Sequence, residues 1–196
     1  MKKLMIGLAL ARLLMSWADA LMPARPARLM IEVPEIGYSD AEVNMITNVV
    51  NGEVGGITGE VRLTYADGTQ EVTDGATLRR IHALIVDNQV RSNLFQDTVA
   101  GCVRQCWSAD YANTAARSSE QWKLCKIEVM EALWERAKAE GQERFAGAGI
   151  MVPDNLFAAT CDGYFAENHT GVSLWARVDW DTGWTSGTFY YYTIGG

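Results

Sequence analysis

The side chain best placed for chemistry in this sequence is the carboxylate of Glu53. It ends the stretch SDAEVNMITNVVNGE at 39–53, which is typical of an amphipathic helix because Val43, Ile46 and Val50 recur at the spacing of one helical face. Glu53 is the next member of that apolar stripe. A carboxylate removed from water keeps its proton more readily, so we expect Glu53 to serve as a general acid. The alternative interpretation is a helix-end residue that turns out to water.

Thiols and imidazoles offer a second kind of chemistry. A cysteine peptidase or amidase would pair Cys125 or Cys161 with His169, but Cys125 falls on the apolar stripe of a predicted helix and no helix start presents either thiol. The spacing of Cys102 and Cys106 is not that of a zinc site, and the two histidines of the chain lie far apart. The sequence therefore predicts no metal site and no cofactor. Disulfides stay open, because four cysteines allow three full pairings.

The elements that must position Glu53 follow from capping and turn residues. Ser39 is a helix cap, and Glu42 completes a capping box with it. After Glu53, apolar and polar residues alternate on either side of Asp67-Gly68, which predicts a β-hairpin over 61–73.

The rest of the chain is predicted to be mostly helical at first and extended at the end. Helical patterns cover 76–91, 98–107 and 119–141, a polar loop covers 108–118, and extended segments cover 156–161, 172–178 and 187–194. His82 lies in the apolar face of its helix and is expected to be a core residue. The predicted fold class is α+β, mainly helical, with a β-hairpin after the first helix and extended C-terminal strands.

Charge and composition restrict the class of partner. The chain has 196 residues, a formal net charge of -7 and a pI near 4.9. A general nucleic-acid-binding protein would present a basic face, so that class is disfavoured. Seven Trp and seven Tyr suit the binding of sugars, and they equally suit an ordinary core.

Residues 1–36 differ in character from the domain predicted at 37–196. Lys2 and Lys3 precede an apolar run that reaches Ala20, which is typical of a secretory signal, although Arg12 interrupts it. The run is too short and too interrupted for a good transmembrane span. A retained amphipathic helix that contacts a membrane or a virion is the alternative, and the prolines that follow indicate a linker.

Four stretches occur in a defined order over 38–196: VVNGEVGG at 49–56, IHALIVDNQVRSNLFQDTVAGCVRQ at 81–105, VPDNLFAAT at 152–160 and GTFYYY at 187–192. Their order and spacing resemble the SleB-type cell-wall hydrolase family, named for the spore cortex-lytic enzyme and including phage-type members. The first stretch is similar to the block around that family's essential Glu. The chain departs from the family at Gln89, at Gln96 and at Cys106-Trp107, where the family has Arg, Pro and Gln-Phe, and the hairpin is an insertion relative to compact members.

The resemblance implies a lysozyme-like fold in which the catalytic Glu ends a helix and a β-hairpin region follows. It assigns the acid to Glu53. Gln105 matches a polar family position and is expected to hydrogen-bond an N-acetyl group, while Trp107 and Tyr111 follow it and are expected to stack on a sugar ring. Asn88 is expected near the cleft. The structural alternatives place Trp107 over the core and Asn88 as a cap of its own helix.

The implied reaction is cleavage of the bond between N-acetylmuramic acid and N-acetylglucosamine in peptidoglycan. No second carboxylate is placed as clearly as Glu53, since Glu60 opens the hairpin and Asp67 lies in its turn. A single acid favours a lytic transglycosylase over a hydrolase. The expected location is outside the cell, in the cell envelope, or in a phage lysis or virion protein. The alternative function is a non-catalytic peptidoglycan-binding or virion structural module that keeps the fold.

Overall fold

The computed structural model describes residues 36–139, 144–145 and 152–195, and the segment predicted at 1–36 lies outside this part of the chain except for its last residue. In chain order the elements are α1 (Asp40–Glu53), β1 (Glu60–Tyr65), β2 (Gln70–Asp74), α2 (Gly75–Arg91), α3 (Val99–Cys106), a 3-10 helix (Ala109–Ala112), α4 (Glu120–Lys138), β3 (Arg144–Phe145), β4 (Val152–Pro153), β5 (Leu156–Thr160), α5 (Phe165–Asn168), β6 (Val172–Asp181) and β7 (Ser186–Ile194). The α+β class is confirmed. No helix in the described ranges is long and apolar enough to cross a membrane.

Helix α1 begins as predicted, with a complete capping box. The backbone N–H of Ser39 donates to the Glu42 carboxylate at 2.8 Å, and the backbone N–H of Glu42 donates to the Ser39 hydroxyl at 3.3 Å. These bonds satisfy two of the amide groups that a helix start leaves without a partner. The apolar stripe of α1 is buried as far as Val50, which is fully enclosed in the core.

The predicted hairpin is present, and it belongs to a larger sheet. Strands β1 and β2 pair antiparallel across the turn at Asp67-Gly68, where Gly68 has a φ of 84°. Strand β1 also pairs with β6, with Val61 opposite Trp180, so the sheet has the antiparallel strand order β2-β1-β6-β7-β5. The sequence patterns predict the five strands of this sheet, although β6 runs to Asp181 and not to 178, and they do not predict β3 and β4. The sheet is formed by pairing β1 with β6, more than 100 residues away along the chain.

One hydrophobic core joins α1, α2 and α4 to the inner face of the sheet. His82 of α2 is fully buried in it, as predicted, and its Nδ1 lies 3.1 Å from both the Leu78 carbonyl oxygen and the Tyr191 hydroxyl. Burial lowers the pKa of His82 to about 4, with the Leu78 carbonyl acting weakly in the opposite direction. The imidazole is therefore neutral at pH 7.

Two segments differ from the sequence prediction. The loop predicted at 108–118 contains the 3-10 helix Ala109–Ala112, and the stretch between the extended segments predicted at 156–161 and 172–178 contains the short helix α5. Both elements are only four residues long, too short for apolar periodicity to reveal them. The four cysteines are free, so neither a disulfide pairing nor a cysteine cluster contributes to this fold.

Candidate active site around Glu53

Glu53 is the last residue of α1 and is half-buried, whereas its place on the apolar stripe predicts full burial. The reason is local. The Val54 N–H closes the final helical turn by donating to the Val50 carbonyl at 3.0 Å, and the Val54 side chain takes the buried position that the helix pattern assigns to Glu53. Glu53 is therefore only partly removed from water.

Tyr111, one of the predicted sugar contacts, lies directly beside Glu53. Its ring covers Gly52 so closely that a Cβ added at Gly52 would collide with the phenol. Burial raises the pKa of Tyr111 above its usual value, and the negative charge of Glu53 and a hydrogen bond with Glu53 raise it further. The phenol therefore keeps its proton at neutral pH and can donate a hydrogen bond to the carboxylate beside it.

Two further charged residues act on this pair, and sequence reasoning missed both. The positive charge of Arg117 lowers the pKa of Tyr111, and the negative charge of Asp110 raises it slightly. Asp110 and Arg117 are exposed and lie in the segment predicted to be a polar loop. Nothing in the pattern of that segment distinguishes them from solvated loop residues, and the charge effect of both on Tyr111 is visible only in the folded structure.

The chain that leaves Glu53 is fixed by close packing. A Cβ at Gly55 would lie 2.7 Å from the Gln121 side-chain nitrogen and 2.6 Å from the Asn51 carbonyl oxygen, so only glycine admits α4 this closely. Arg79 donates to the Ile57 carbonyl oxygen at 3.2 Å. The loop from Glu53 to the hairpin is therefore held on both sides, which gives the end of α1 a defined position.

Trp107 lines a separate cavity of about 360 Å³ whose walls include Phe95, Phe157 and Phe165. The indole N–H of Trp107 donates to Gln89 Oε1 at 2.8 Å, and Gln89 Nε2 donates to the Phe157 carbonyl at 2.7 Å. The ring is half-buried and its one polar atom is already bonded. Glu53 is not among the lining residues of this cavity, so the structure pairs Glu53 with Tyr111 and places Trp107 at a second location.

The two amides predicted to contact substrate have different surroundings. Gln105 is exposed on α3, and its Oε1 accepts the Gln96 backbone N–H at 3.3 Å. Asn88 is only 2% exposed, and its Nδ2 donates to the carbonyl oxygens of Pro153 and Leu156 at 3.1 and 3.0 Å. Asn88 was predicted near the cleft; its side chain joins α2 to β4 and β5 through Nδ2, while its buried Oδ1 has no hydrogen-bond partner among the residues that the structure describes.

The remaining carboxylates of the hairpin have structural contacts. Glu60 forms an exposed ion pair with Arg62 at 3.5 Å, and Asp67 accepts the Thr69 N–H at 2.9 Å inside the turn. Within the described ranges, no three or more His, Cys, Asp or Glu residues are grouped so that they could hold a metal ion.

Comparisons of the chain with protein-family models, with curated proteins and with solved structures gave no match.

Proposed function

We propose that this protein cleaves the glycan strand of peptidoglycan between N-acetylmuramic acid and N-acetylglucosamine, with Glu53 as the acid and base of a lytic transglycosylase. The supporting observation is the half-buried Glu53 at the end of α1, with the Tyr111 phenol packed over the adjacent Gly52. The resemblance of the four sequence stretches to SleB-type cell-wall hydrolases supplies the substrate class. A location in the cell envelope, or in a phage lysis or virion protein, is part of the same proposal, and so is a lysozyme-like fold.

The proposed reaction needs one carboxyl group and no water. Protonated Glu53 gives its proton to the glycosidic oxygen, and the electron pair of the breaking bond to the anomeric carbon goes to that oxygen. The 6-hydroxyl oxygen of the muramic acid residue then bonds to its anomeric carbon, and the hydroxyl proton passes to the Glu53 carboxylate. The products are a 1,6-anhydro-muramic acid end and a free N-acetylglucosamine hydroxyl, and Glu53 is again protonated.

Tyr111 fixes the carboxylate in this scheme. A phenol that donates to one carboxylate oxygen holds the plane of the group and leaves the other oxygen free for the sugar. Trp107 and Gln105 remain proposed contacts for more distant sugars, because the cavity beside Trp107 has aromatic walls on which a sugar ring can stack.

A second candidate is a peptidoglycan-binding module without catalysis. One observation favours it: Glu53 lines none of three surface cavities, which instead gather around Trp107, around Trp175 and around Trp180. Cavities that have a tryptophan in the wall and do not include Glu53 fit sugar binding better than bond cleavage by Glu53.

The experiment compares the wild type, Glu53→Gln and Glu60→Gln on purified peptidoglycan. Release of soluble muropeptides and sedimentation with the insoluble polymer are measured for each. Glu60 is the matched control because it is an exposed glutamate seven residues along the chain, with Arg62 as its ion-pair partner. We expect Glu53→Gln to sediment with the polymer and release nothing, and Glu60→Gln to resemble the wild type. Binding without release by the wild type would overturn the enzymatic proposal in favour of the binding module.

A further inference from the structure

Two asparagines lie on the buried side of α1, one turn apart. Asn44 is 4% exposed and Asn48 is fully buried. They occupy positions i and i+4 of the same helix that carries Glu53 at its end, so both amides point in one direction. Burial of an amide without partners costs free energy, and a helix can bury apolar residues at these positions instead. Their presence therefore requires an explanation.

Both asparagines bind the backbone of the segment that carries Tyr111. Asn48 Nδ2 donates to the carbonyl oxygens of Tyr111 at 3.3 Å and Asn113 at 2.8 Å, and Asn44 Nδ2 donates to the carbonyl of Thr114 at 2.9 Å. Three of four consecutive carbonyls are thus held by α1. Over 109–112 the segment has no fully buried residue, although Tyr111 and Ala112 pack against the core with partly buried side chains, so these bonds add to its attachment to the core.

The acceptor oxygens of the same two asparagines are bound by α4. Trp122 Nε1 donates to Asn48 Oδ1 at 2.9 Å, and Lys126 Nζ donates to Asn44 Oδ1 at 3.0 Å. Each amide is therefore satisfied on both ends. Because Trp122 and Lys126 are also one helical turn apart, the amide orientation of each asparagine is set by α4, and the N–H groups necessarily face the Tyr111 segment.

We propose that Asn48, assisted by Asn44, is a positioning residue that holds Tyr111 against Glu53. This inference deepens the proposed function, on which its catalytic meaning rests. Helix α1 carries Glu53 at its end and, through Asn48, also fixes the backbone of Tyr111. The distance between phenol and carboxylate is thereby set within one helix.

The test must separate positioning from general stability, and the chain offers a control for this. Thr47 is adjacent to Asn48 on α1, fully buried, and donates its hydroxyl only to the Val43 carbonyl of its own helix, at 2.7 Å. Thr47→Val removes a buried polar group from the same helix without touching the Tyr111 segment. Asn48→Leu removes the attachment, and Asn44→Ala is a milder variant for the case in which Asn48→Leu does not fold.

The quantity measured is the pKa of the Tyr111 phenol. It is determined by an NMR pH titration of protein labelled at the tyrosine ζ-carbon, in which the Tyr111 signal is assigned by its absence from Tyr111→Phe. In the wild type, burial and Glu53 keep this pKa above its ordinary value of about 10. We expect it to fall toward 10 in Asn48→Leu, to fall less in Asn44→Ala, and to keep its raised value in Thr47→Val. An unchanged Tyr111 pKa in the asparagine variants, or an equal fall in Thr47→Val, would overturn the proposal.

Measuring muropeptide release by the same variants distinguishes failure of this inference from failure of the proposed function. If the wild type releases muropeptides, we expect Asn48→Leu to lower kcat roughly tenfold or more with KM little changed, since misplacement of a catalytic group acts on the reacting state. If the wild type releases none while the Tyr111 pKa depends on Asn48, the positioning of Tyr111 is upheld and the proposed function is contradicted.

Discussion

Replacing Gly52 by alanine tests the packing of Tyr111 at the end of α1. An alanine in a helix is ordinarily favoured over glycine by up to about 1 kcal/mol. Here the new methyl group would occupy the space of the Tyr111 ring. Forcing an extra methyl into filled space costs about 1–3 kcal/mol, so the two effects leave a net loss of roughly 1 kcal/mol.

The Gly52→Ala substitution should also change the Tyr111 pKa, because the new methyl group would push the Tyr111 ring away from Glu53. We expect Gly52→Ala to lower the free energy of unfolding in urea by roughly 1 kcal/mol. The raised pKa of Tyr111 should move toward its ordinary value in the same variant. The matched control is Gly56→Ala, where an added Cβ meets no atom within 4 Å. It should be neutral or slightly stabilising and should leave the Tyr111 pKa unchanged.

The reasoning would be refuted by a Gly52→Ala protein that is more stable than the wild type and keeps the raised Tyr111 pKa. That result would mean that the phenol does not lie over Gly52. Equal effects of Gly52→Ala and Gly56→Ala would also refute it, because only one of the two sites is filled.

Three further predictions concern the rest of the fold. Asp87 is fully buried, accepts a hydrogen bond from Tyr38 at 2.6 Å and forms an ion pair with Arg91 at 2.8 Å, so Asp87→Asn should cost about 3 kcal/mol in urea unfolding. Asp40 is exposed and pairs with Lys126 at 2.7 Å, so Asp40→Asn should cost less than about 1 kcal/mol. The folded-state pKa of His82, about 4, lies below its unfolded value. Stability should therefore fall as the pH drops from about 6.5 to 4, by on the order of 3 kcal/mol, and fall less in His82→Leu. Brief alkylation should modify the exposed Cys161 without loss of muropeptide release. Loss of muropeptide release would instead support the alternative that the protein is a cysteine peptidase or amidase.

Local features of this fold were predictable because they depend on residues that are close together in the sequence. The capping box of Ser39 and Glu42, the turn at Asp67-Gly68 and the burial of His82 all follow from short-range patterns and are found in the structure. The pairing of β1 with β6 was not predictable, because alternation identifies a strand and says nothing about its neighbour.

In the candidate site, too, local features were predictable from the sequence and features that depend on tertiary contacts were not. The position of Glu53 at a helix end was predictable from the apolar stripe, but its partial exposure depends on how Val54 ends the helix. Residue type alone cannot distinguish an amide that binds substrate from one that binds backbone: Asn88 was predicted near the cleft, and its side chain is buried and bonded to backbone carbonyls. The reverse is true of Asn48: no sequence pattern marks it as a functional residue, yet its side chain donates to the Tyr111 backbone carbonyl in the structure.

The measurement that tests the central claim most directly is mass spectrometry of the soluble products from purified peptidoglycan, with the wild type, Glu53→Gln and Asp110→Asn. We expect 1,6-anhydro-muramic acid ends from the wild type and from Asp110→Asn, and none from Glu53→Gln. Reducing muramic acid ends that disappear in Asp110→Asn would contradict the single-acid mechanism and indicate a hydrolase with Asp110 as its second carboxylate. Equal product from Glu53→Gln and the wild type would contradict the assignment of Glu53 itself.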